Sequence, residues 1–415
     1  MKKQNYIERF VQQRLEDALT DTPVVLVHGP RQCGKTTLVK LYLGKKGYSY
    51  FSFDDEGILA AATEDPVGFV AGLPEFVILD EVQRVPGLFA SLKLAVDRNR
   101  YPGRFILTGS ANVLLLPKLS DSLAGRMEII RLHPLSICEV QGKDSSFIDM
   151  LFDGDVGTYR TDRLGDKIAE LVASGGYPEA HARTTAGRRK AWYRDYIETI
   201  TQRDVRELTR IQGLNAIPNL LAMAAAQSAQ LFNLSELAGP FNLSRPTIGD
   251  YVALLEGIFM VHRLRPWHTN LLSRLVKSPK LHISDTGLAC SLLDLTVDDL
   301  KGDRQRLGHL LETFVVQELR RQASWSDRPP VFHHFRNRDG VEVDLILERG
   351  PYKVSAVEVK LSATVTTKDF RGLRKIQSAL GNRFKSGIVL YDGEELLPFG
   401  EQLWAVPLGR VWDKG

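Results

Sequence analysis

Apolar runs that end in polar residues recur along the first third of the chain. They cover residues 24–27, 48–53, 76–79, 104–108 and 127–132. Continuous apolar runs are typical of strands that are buried on both faces, as the central strands of a parallel sheet are. A helical pattern over 38–42 follows the first run, so strands and helices alternate as they do in α/β proteins. The pattern therefore predicts an α/β domain with a parallel sheet.

Helical and strand patterns continue along the rest of the chain. Apolar positions at helical spacing predict helices over 168–173, 188–210, 220–228, 243–255, 307–319 and 367–379. Strand patterns cover 259–264, 340–347 and 357–360. Helices dominate the middle of the chain, and a second mixed α/β region is predicted at its C-terminal end.

Composition restricts the class of protein. The 415 residues exceed what one hydrophobic core usually serves, so we expect two to four domains. A net charge of +4 is too small to indicate nucleic-acid binding by itself. No apolar stretch approaches the ~18 residues of a membrane span, so no membrane association is expected. The cysteines are Cys33, Cys138 and Cys290, an odd number that suits a reducing compartment and predicts a cytoplasmic protein.

The segment after the first apolar run has the spacing GxxxxGK[ST]. Its members are Gly29, Pro30, Arg31, Gln32, Cys33, Gly34, Lys35, Thr36 and Thr37. Glycines let successive backbone N–H groups curl around phosphate oxygens, and the following helix presents its positive N-terminal end. We therefore predict a site for ATP, with Lys35 at the β and γ phosphates and Thr36 at a Mg²⁺ ion. A glycine turn with a surface lysine is the alternative.

Carboxylates follow the third apolar run, and small polar residues follow the fourth. Parallel sheets bind ligands at the C-terminal ends of their strands, so Asp80 and Glu81 are predicted to lie near the phosphate loop. Asp80 would hold the Mg²⁺ shell, and Glu81 would polarise the attacking water. Asn112 is favoured over Ser110 as the residue that senses the γ phosphate. Serine and asparagine are also ordinary turn residues, so loop capping is the alternative.

Two short helical patterns joined by a turn precede the run at 259–264. Their order resembles a winged helix-turn-helix, whose second helix enters the major groove of DNA. That helix would offer Ser244, Arg245 and Thr247 to DNA. Basic residues nearby are predicted to contact phosphates, namely Arg263, Arg265, His268, Arg274, Lys277 and Lys280. Many winged helices contact only proteins, so a protein-binding role is the alternative.

The C-terminal region carries a second set of charged residues. Asp344 lies in a strand pattern, and Glu358 and Lys360 lie on one face of the next predicted strand. Glu312, on an amphipathic helix, is predicted to converge with them. The set resembles the PD-(D/E)xK nuclease fold, in which carboxylates hold magnesium and the lysine positions or deprotonates water. Val343 stands where that family normally has proline, and an inactive salt-bridged scaffold is the alternative.

Nearly the whole chain resembles the prokaryotic AAA+ ATPases that carry a C-terminal DUF4143 domain. The resemblance rests on Gly-Pro-Arg-Gln in the phosphate loop, Leu-Asp-Glu-Val-Gln ending at Gln83, Ser-Gly-Gly-Tyr-Pro-Glu at 174–179, and the terminal Asp and Glu-x-Lys pattern. The patterns and the resemblance together predict four parts. These are an α/β P-loop AAA+ core at 1–135, a helical lid at 136–215, a winged helix-turn-helix at 216–275 and an α/β restriction-endonuclease-like domain at 276–415.

The AAA+ resemblance also gives Arg126 a role. An arginine just before the fifth strand of these ATPases reaches the nucleotide of a neighbouring subunit, so Arg126 is nominated as an arginine finger. The active species would then be a homo-oligomer, such as a hexameric ring. The alternative for Arg126 is a plain salt bridge at a helix C-terminus.

Together these features predict an ATP-hydrolysing protein that binds and remodels or processes duplex or branched DNA. One alternative is a nucleotide-switched signalling or toxin-like regulator that acts through protein partners. Another is an ATP-dependent DNA endonuclease that requires Mg²⁺. Salt dependence of binding distinguishes DNA remodelling from regulation through protein partners. Affinity for DNA falls steeply with ionic strength, whereas affinity across an apolar protein interface changes little.

Overall fold

The chain divides into two compact units. The smaller unit comprises Glu8–Leu135 with Gly257–Phe259, and the larger comprises Met1–Ile7, Ser136–Glu256 and Met260–Gly415. The computed structural model describes residues 6–44, 47–110, 123–154, 156–208, 216–233, 239–241, 243–268 and 278–413. Within these ranges, none of the helices has both the length and the apolar character that a membrane crossing requires.

A parallel sheet of five described strands forms the centre of the smaller unit. The strands are β1 (Val24–His28), β2 (Ser49–Ser52), β3 (Val77–Asp80), β4 (Phe105–Gly109) and β5 (Met127–Arg131). Their order is β2-β3-β4-β1-β5. The helices are α1 (Gln12–Asp21), α2 (Lys35–Leu43), α3 (Glu56–Glu64), α4 (Pro66–Ala71) and α5 (Leu88–Arg98). The prediction of an α/β unit with a parallel sheet is confirmed.

The strand order sets the position of the candidate site. β1, β3 and β4 are buried along their whole length because they lie inside the sheet, which is why their sequences are continuously apolar. β1 pairs with β4, and β4 pairs with β3, all in parallel. The C-terminal ends of these strands therefore lie side by side. They carry the phosphate loop after His28, Asp80 with Glu81, and Ser110.

The larger unit contains a mixed sheet and most of the helices. Its described strands are β6 (Gln230–Leu231), β7 (Val261–Pro266), β8 (Lys280–Ile283), β9 (Val331–Arg336), β10 (Glu342–Arg349), β11 (Lys353–Val359), β12 (Phe384–Tyr391), β13 (Leu397–Gly400) and β14 (Leu403–Pro407). Their order is β13-β14-β12-β11-β10-β9-β7-β8-β6. The described helices are α6 (Ile137–Gln141), α7 (Phe147–Asp153), α8 (Lys167–Ser174), α9 (Pro178–His181), α10 (Ala186–Leu208), α11 (Ile217–Ala226), α12 (Arg245–Gly257), α13 (Thr286–Leu292), α14 (Val297–Gly302), α15 (Arg304–Ala323) and α16 (Arg371–Leu380).

The larger unit joins segments that the sequence assigned to different domains. β7, from the predicted winged helix, pairs in parallel with β9, from the predicted nuclease-like domain. The predicted lid belongs to the same unit, since the Ile137 N–H donates to Glu318 Oε2 at 2.9 Å. The structure therefore does not separate compact units at residues 215 and 275. The winged-helix and restriction-endonuclease-like folds stay predictions.

Candidate functional site

The loop between β1 and α2 has a geometry that depends on its glycines. Gly34 has a φ of +101°, a left-handed conformation that side chains rarely adopt. A Cβ on Gly29 would lie 1.9 Å from the carbonyl oxygen of Leu132, so the two backbones approach too closely for any other residue. α2 begins at Lys35, which directs the positive end of the helix towards the loop. These features fit a loop that binds phosphate.

The ammonium of Lys35 is folded into this loop. Its Nζ donates to the carbonyl oxygens of Gly29 at 3.0 Å and Pro30 at 2.9 Å, and the residue is buried. Phosphate oxygens would be stronger acceptors for this ammonium, because both partners would be charged. Arg9 supports the loop from outside by donating to the carbonyl oxygen of Cys33 at 2.7 Å. Arg9 was not predictable as a partner of the loop, since no local sequence pattern links the two.

Asp80 is the centre of a hydrogen-bond network at the end of β3. Thr36 Oγ1 lies 3.3 and 3.2 Å from its two carboxylate oxygens. The hydroxyls of Tyr50 and Thr108 also donate to Asp80. Burial, together with the hydrogen bond to Asp80, raises the pKa of Tyr50, so this hydroxyl stays protonated. A hydroxyl and a carboxylate are ligands that Mg²⁺ prefers, so Thr36 and Asp80 fit the predicted metal site.

Glu81 has an unusual backbone and a well-partnered side chain. Its φ is +60°, in the left-handed region. The Glu81 carboxylate accepts hydrogen bonds from Gln83 Nε2 and, at 2.8 Å, from Ser110 Oγ. Burial alone would raise the pKa of Glu81, but the charge of Lys35 and the two hydrogen bonds outweigh burial and lower it. The carboxylate is therefore held as an anion beside the phosphate loop.

Ser110 and Asn112 are the two candidates for sensing the γ phosphate, and the sequence favoured Asn112. Ser110 contacts Glu81. Asn112 lies outside the described residues, so its role stays a prediction. Gln83 is part of the motif that carries the family resemblance. It lies in the short 3₁₀ helix Val82–Arg84, and its position two residues after Glu81 is a signal that could have identified it as a partner.

Arg126 is paired within its own unit. Its Nε lies 2.6 Å from Asp97 Oδ1, and its Nη2 lies 3.0 Å from Asp97 Oδ2. Asp97 belongs to the last turn of α5. This is the salt bridge that the sequence left as the alternative, and any role in a neighbouring subunit requires Arg126 to leave it.

The predicted DNA-contacting residues lie at the start of α12. Ser244 precedes the helix, and its hydroxyl accepts the Thr247 N–H at 3.3 Å, as an N-cap does. Ser244 and Arg245 are exposed. Two of the neighbouring basic residues are already paired. Arg263 binds Glu256, and Lys280 is only 1% exposed. The prediction that Lys280 contacts phosphate was wrong, because the folded chain buries it.

The predicted nuclease-like residues lie together in the larger unit. Lys360 Nζ donates to Glu358 Oε1 at 2.7 Å, and Asp344 Oδ2 accepts the backbone N–H of Val359 at 2.9 Å. Lys280 connects Glu312 with Asp344, at 2.7 and 3.4 Å from their oxygens. Lys280 was not predicted to belong to this cluster, because basic residues nearby in the chain suggested a phosphate contact instead.

Three segments of the chain match known families. Residues 21–141 match the AAA domain family, and residues 307–411 match a domain of unknown function, DUF4143. Residues 165–299 match a second domain of unknown function, DUF8612, which extends across the boundaries predicted at 215 and 275. The AAA match includes the phosphate loop, Asp80, Glu81 and Ser110. The fold, the site and this match together define a P-loop ATPase of the AAA class.

Comparison of whole sequences identifies the family. The chain is 32% identical to the uncharacterized protein Rv2008c of Mycobacterium tuberculosis over 407 residues, which cover 97% of this chain and 84% of that protein. The same values hold for the uncharacterized protein Mb2031c of Mycobacterium bovis. The uncharacterized protein MJ1544 of Methanocaldococcus jannaschii is 21% identical over 400 residues, covering 93% and 86% of the two chains. This chain belongs to the family of P-loop AAA-type ATPases that includes the mycobacterial proteins.

Solved structures show looser similarity. The Walker-type ATPase PABY2304 of Pyrococcus abyssi is 16% identical, with a TM-score of 0.46, and the match covers 70% of this chain and 97% of that one. The RuvB Holliday junction branch migration motor of Thermotoga maritima is 16% identical, with a TM-score of 0.29 and coverage of 61% and 88%.

Proposed function

We propose that this chain is a cytoplasmic ATPase that uses hydrolysis to bind and remodel duplex or branched DNA. The observation that carries the ATPase proposal is the meeting of the phosphate loop, Asp80 and Glu81 at the C-terminal ends of β1 and β3, the two strands that flank β4. Each group has the chemistry that phosphoryl transfer needs; the phosphate loop follows β1, and Asp80 and Glu81 stand at the end of β3. DNA as the substrate rests on the sequence pattern at 243–264 and is the part that most needs a test.

Some residues of the site bind the nucleotide and its metal ion, and others activate the attacking water. Residues 29–37 cradle the triphosphate, with the Lys35 ammonium exchanging its carbonyl acceptors for phosphate oxygens. Thr36 and Asp80 would hold Mg²⁺, which would supply positive charge to the phosphates. Glu81, held as an anion, orients the attacking water and accepts its proton. Ser110 positions the Glu81 carboxylate, and Asn112 senses the γ phosphate.

Arg126 completes the site from a neighbouring subunit in this proposal. Positive charge at the γ phosphate stabilises the transition state, and the AAA+ resemblance assigns that charge to an arginine of the neighbouring subunit. A ring, such as a hexamer, would provide the neighbour. The salt bridge with Asp97 is then the resting arrangement of the finger, which assembly would exchange for the phosphate.

The larger unit would hold the DNA. Exposed Ser244 and Arg245 stand at the N-terminal end of α12 with Thr247, where a recognition helix presents its side chains to a groove. In this proposal the unit contains a winged helix and a nuclease-like domain at the predicted bounds. A regulator that acts through proteins would use the same exposed helix end without needing polyanion contacts.

The ATPase rate measured with different nucleic acids tests this function. Turnover is compared without nucleic acid and with linear duplex, single strand and a four-way junction, and Glu81→Gln serves as the inactive control. Stimulation by duplex or junction DNA is expected. Turnover that no polynucleotide changes would favour the protein-binding regulator.

Binding measurements separate the two functions further. Fluorescently labelled duplex is titrated with the chain at rising salt, and Arg245→Ala is compared with Arg188→Ala, an exposed arginine on α10. We expect the affinity of the native chain for DNA to fall as salt rises, because phosphate contacts release counterions. At any one salt concentration, Arg245→Ala should bind more weakly than the native chain, and Arg188→Ala should not. Lack of binding in low salt would exclude DNA as the substrate, whatever the ATPase rate.

A further inference from the structure

The ammonium of Lys280 lies among carboxylates from two elements of the larger unit. Its Nζ is 2.7 Å from Glu312 Oε1 on α15, 2.6 Å from Glu342 Oε1 and 3.4 Å from Asp344 Oδ1, both on β10. The Lys280 side chain is 2% exposed, so water does not compete for these contacts. An ammonium donates three hydrogen bonds, and here three carboxylates surround it. Lys280 therefore stands at the point where their negative charges meet.

The other half of the cluster is also paired. Glu358 Oε1 accepts from Lys360 Nζ at 2.7 Å, and its second oxygen lies 3.4 Å from the backbone N–H of Asp344. Asp344 Oδ2 accepts from the backbone N–H of Val359 at 2.9 Å. The carboxylates that the nuclease pattern would assign to magnesium thus already have protein donors.

A divalent cation does not fit this arrangement. Mg²⁺ requires near-octahedral oxygen ligands at about 2.0–2.1 Å, and it would need the same carboxylate oxygens that the ammonium holds. Placing it there would bring two cations into a buried site, where screening by water is weak. Within the described parts of the chain, no group of three Asp, Glu, His or Cys residues has the arrangement of a metal site.

We infer that Lys280 is the resident cation of this cluster, so that the nuclease-like domain takes up no catalytic magnesium and does not cleave phosphodiester bonds. The cluster is a buried framework that joins β8, α15 and β10. The ATP-dependent endonuclease considered from the sequence is therefore not a function of this chain.

The remaining negative charge is balanced by protons. Burial and the neighbouring Asp344 raise the pKa of Glu358 to about 8, and the same two causes raise the pKa of Glu312. Lys280 and Lys360 stay charged, since nearby carboxylates outweigh burial and raise their pKa values. Protonation of both Glu358 and Glu312 would leave Glu342 and Asp344 to balance the charges of Lys280 and Lys360 without a divalent ion.

Manganese binding tests this inference on the full chain without nucleotide. Free Mn²⁺ is measured by electron paramagnetic resonance for the native protein, Lys280→Ala, Lys280→Ala with Asp344→Asn, and Lys375→Ala, an exposed lysine of the same unit. Native protein and Lys375→Ala should bind alike and weakly. Lys280→Ala should bind at least about tenfold more tightly, because removing the ammonium leaves carboxylates unpaired, and the added Asp344→Asn should remove that gain. A folded Lys280→Ala that gains no affinity would overturn the inference.

The native protein keeps the inference testable if Lys280→Ala fails to fold. Mn²⁺ binding and cleavage of linear, single-stranded and junction DNA with Mg²⁺ or Mn²⁺ are compared between native protein and Asp344→Asn. Equal binding and no cleavage that depends on Asp344 support the inference. Either Mn²⁺ affinity or cleavage lost with Asp344→Asn contradicts it, and neither result depends on ATP turnover by the smaller unit.

Discussion

Glu81 combines a strained backbone with a carboxylate that is held in one place. Its φ of +60° is costly for a residue with a side chain, on the order of 1–3 kcal/mol. The turn that follows lets Gln83 donate to the same carboxylate oxygen that Ser110 contacts. Such strain persists only where surrounding contacts maintain it, and it is common at catalytic residues. At this position it directs the carboxylate towards the end of β4 and the phosphate loop.

Glu81→Gln is expected to bind ATP and Mg²⁺ as tightly as the native chain while losing at least about a hundredfold in turnover, since a neutral amide cannot accept a proton. The amide keeps the size of the side chain and one acceptor for Ser110. Nucleotide binding is followed with a fluorescent ATP analogue, and turnover is followed by phosphate release. Glu64→Gln, at an exposed position on α3, is the matched control. Full turnover in Glu81→Gln would remove Glu81 from the chemistry.

Ser110→Ala should change the pH dependence of turnover. The hydrogen bond from Ser110 helps to lower the pKa of Glu81, so its loss raises that pKa. As the pH falls, Glu81 is then protonated at a higher pH than in the native chain. The acid limb of the kcat profile therefore moves to higher pH. Gln83→Ala should move it in the same direction, while Ser49→Ala at the amino end of β2 should not. An unchanged acid limb in both variants would mean that Glu81 is not the titrating base.

At the scale of elements, a buried ion-pair network connects the helices of the larger unit. Arg321 on α15 lies 2.9 Å from Asp285 Oδ2 and 2.6 Å from Glu318 Oε1. The same oxygen of Asp285 accepts the Gly176 N–H at 2.7 Å, at the break between α8 and α9. Tyr193 on α10 donates to the other oxygen of Asp285. Segments far apart in sequence therefore share one set of charges.

Arg321→Leu is expected to destabilise the larger unit by about 3–5 kcal/mol, because it leaves Asp285 and Glu318 buried without their cation. All the tryptophans of the chain lie in the larger unit, so their fluorescence during urea unfolding reports on that unit alone. Arg306→Leu, which loses only an exposed pair with Asp303, should change stability by less than about 1 kcal/mol. Equal effects of the two substitutions would contradict the central role of Arg321.

Elements were predictable from sequence where burial follows a simple pattern. β1 and β4 begin and end within one residue of their predicted bounds, because a continuous apolar run between polar residues leaves little freedom. The phosphate loop and the carboxylates Asp80 and Glu81 at the end of β3 were also recognisable, since each motif has a fixed spacing. Tyr50, Thr108 and Gln83 were missed because each looks like an ordinary strand or turn residue until the sheet places it beside a carboxylate.

Long-range pairing explains why the role of Lys280 was predicted wrongly. Lys280 was interpreted from its basic neighbours in sequence, but its partners are 32 and 64 residues away on α15 and β10. Periodicity describes which face of an element is buried and contains no information about which charge that face meets. The same limit applies to the boundaries predicted at 215 and 275, which depend on how strands from different segments join one sheet.

At the scale of the molecule, strand direction separates Arg126 from the phosphate loop of its own chain. β1 and β5 are parallel, and Val24 lies opposite Met127, so Arg126 stands at the amino end of the sheet. The phosphate loop follows His28 at the other end, about 16 Å away along the strands. An arginine at this edge cannot serve its own nucleotide, whereas a neighbouring subunit could bring its nucleotide to it. This position permits action in trans, and turnover by the assembled protein distinguishes that role from a plain salt bridge with Asp97.

Mixing two inactive variants makes that distinction. Arg126→Ala should lose about a thousandfold in turnover if it supplies the finger, whereas Arg98→Ala, exposed on α5, should not. Subunits of Arg126→Ala retain Glu81, and subunits of Glu81→Gln retain Arg126, so mixed rings contain some complete sites between unlike neighbours. Turnover should therefore reappear on mixing and rise with protein concentration. If Arg126 is only the partner of Asp97, Arg126→Ala and Asp97→Asn will both stay active with slightly lower stability, and mixing Arg126→Ala with Glu81→Gln will give only the average of the two separate rates.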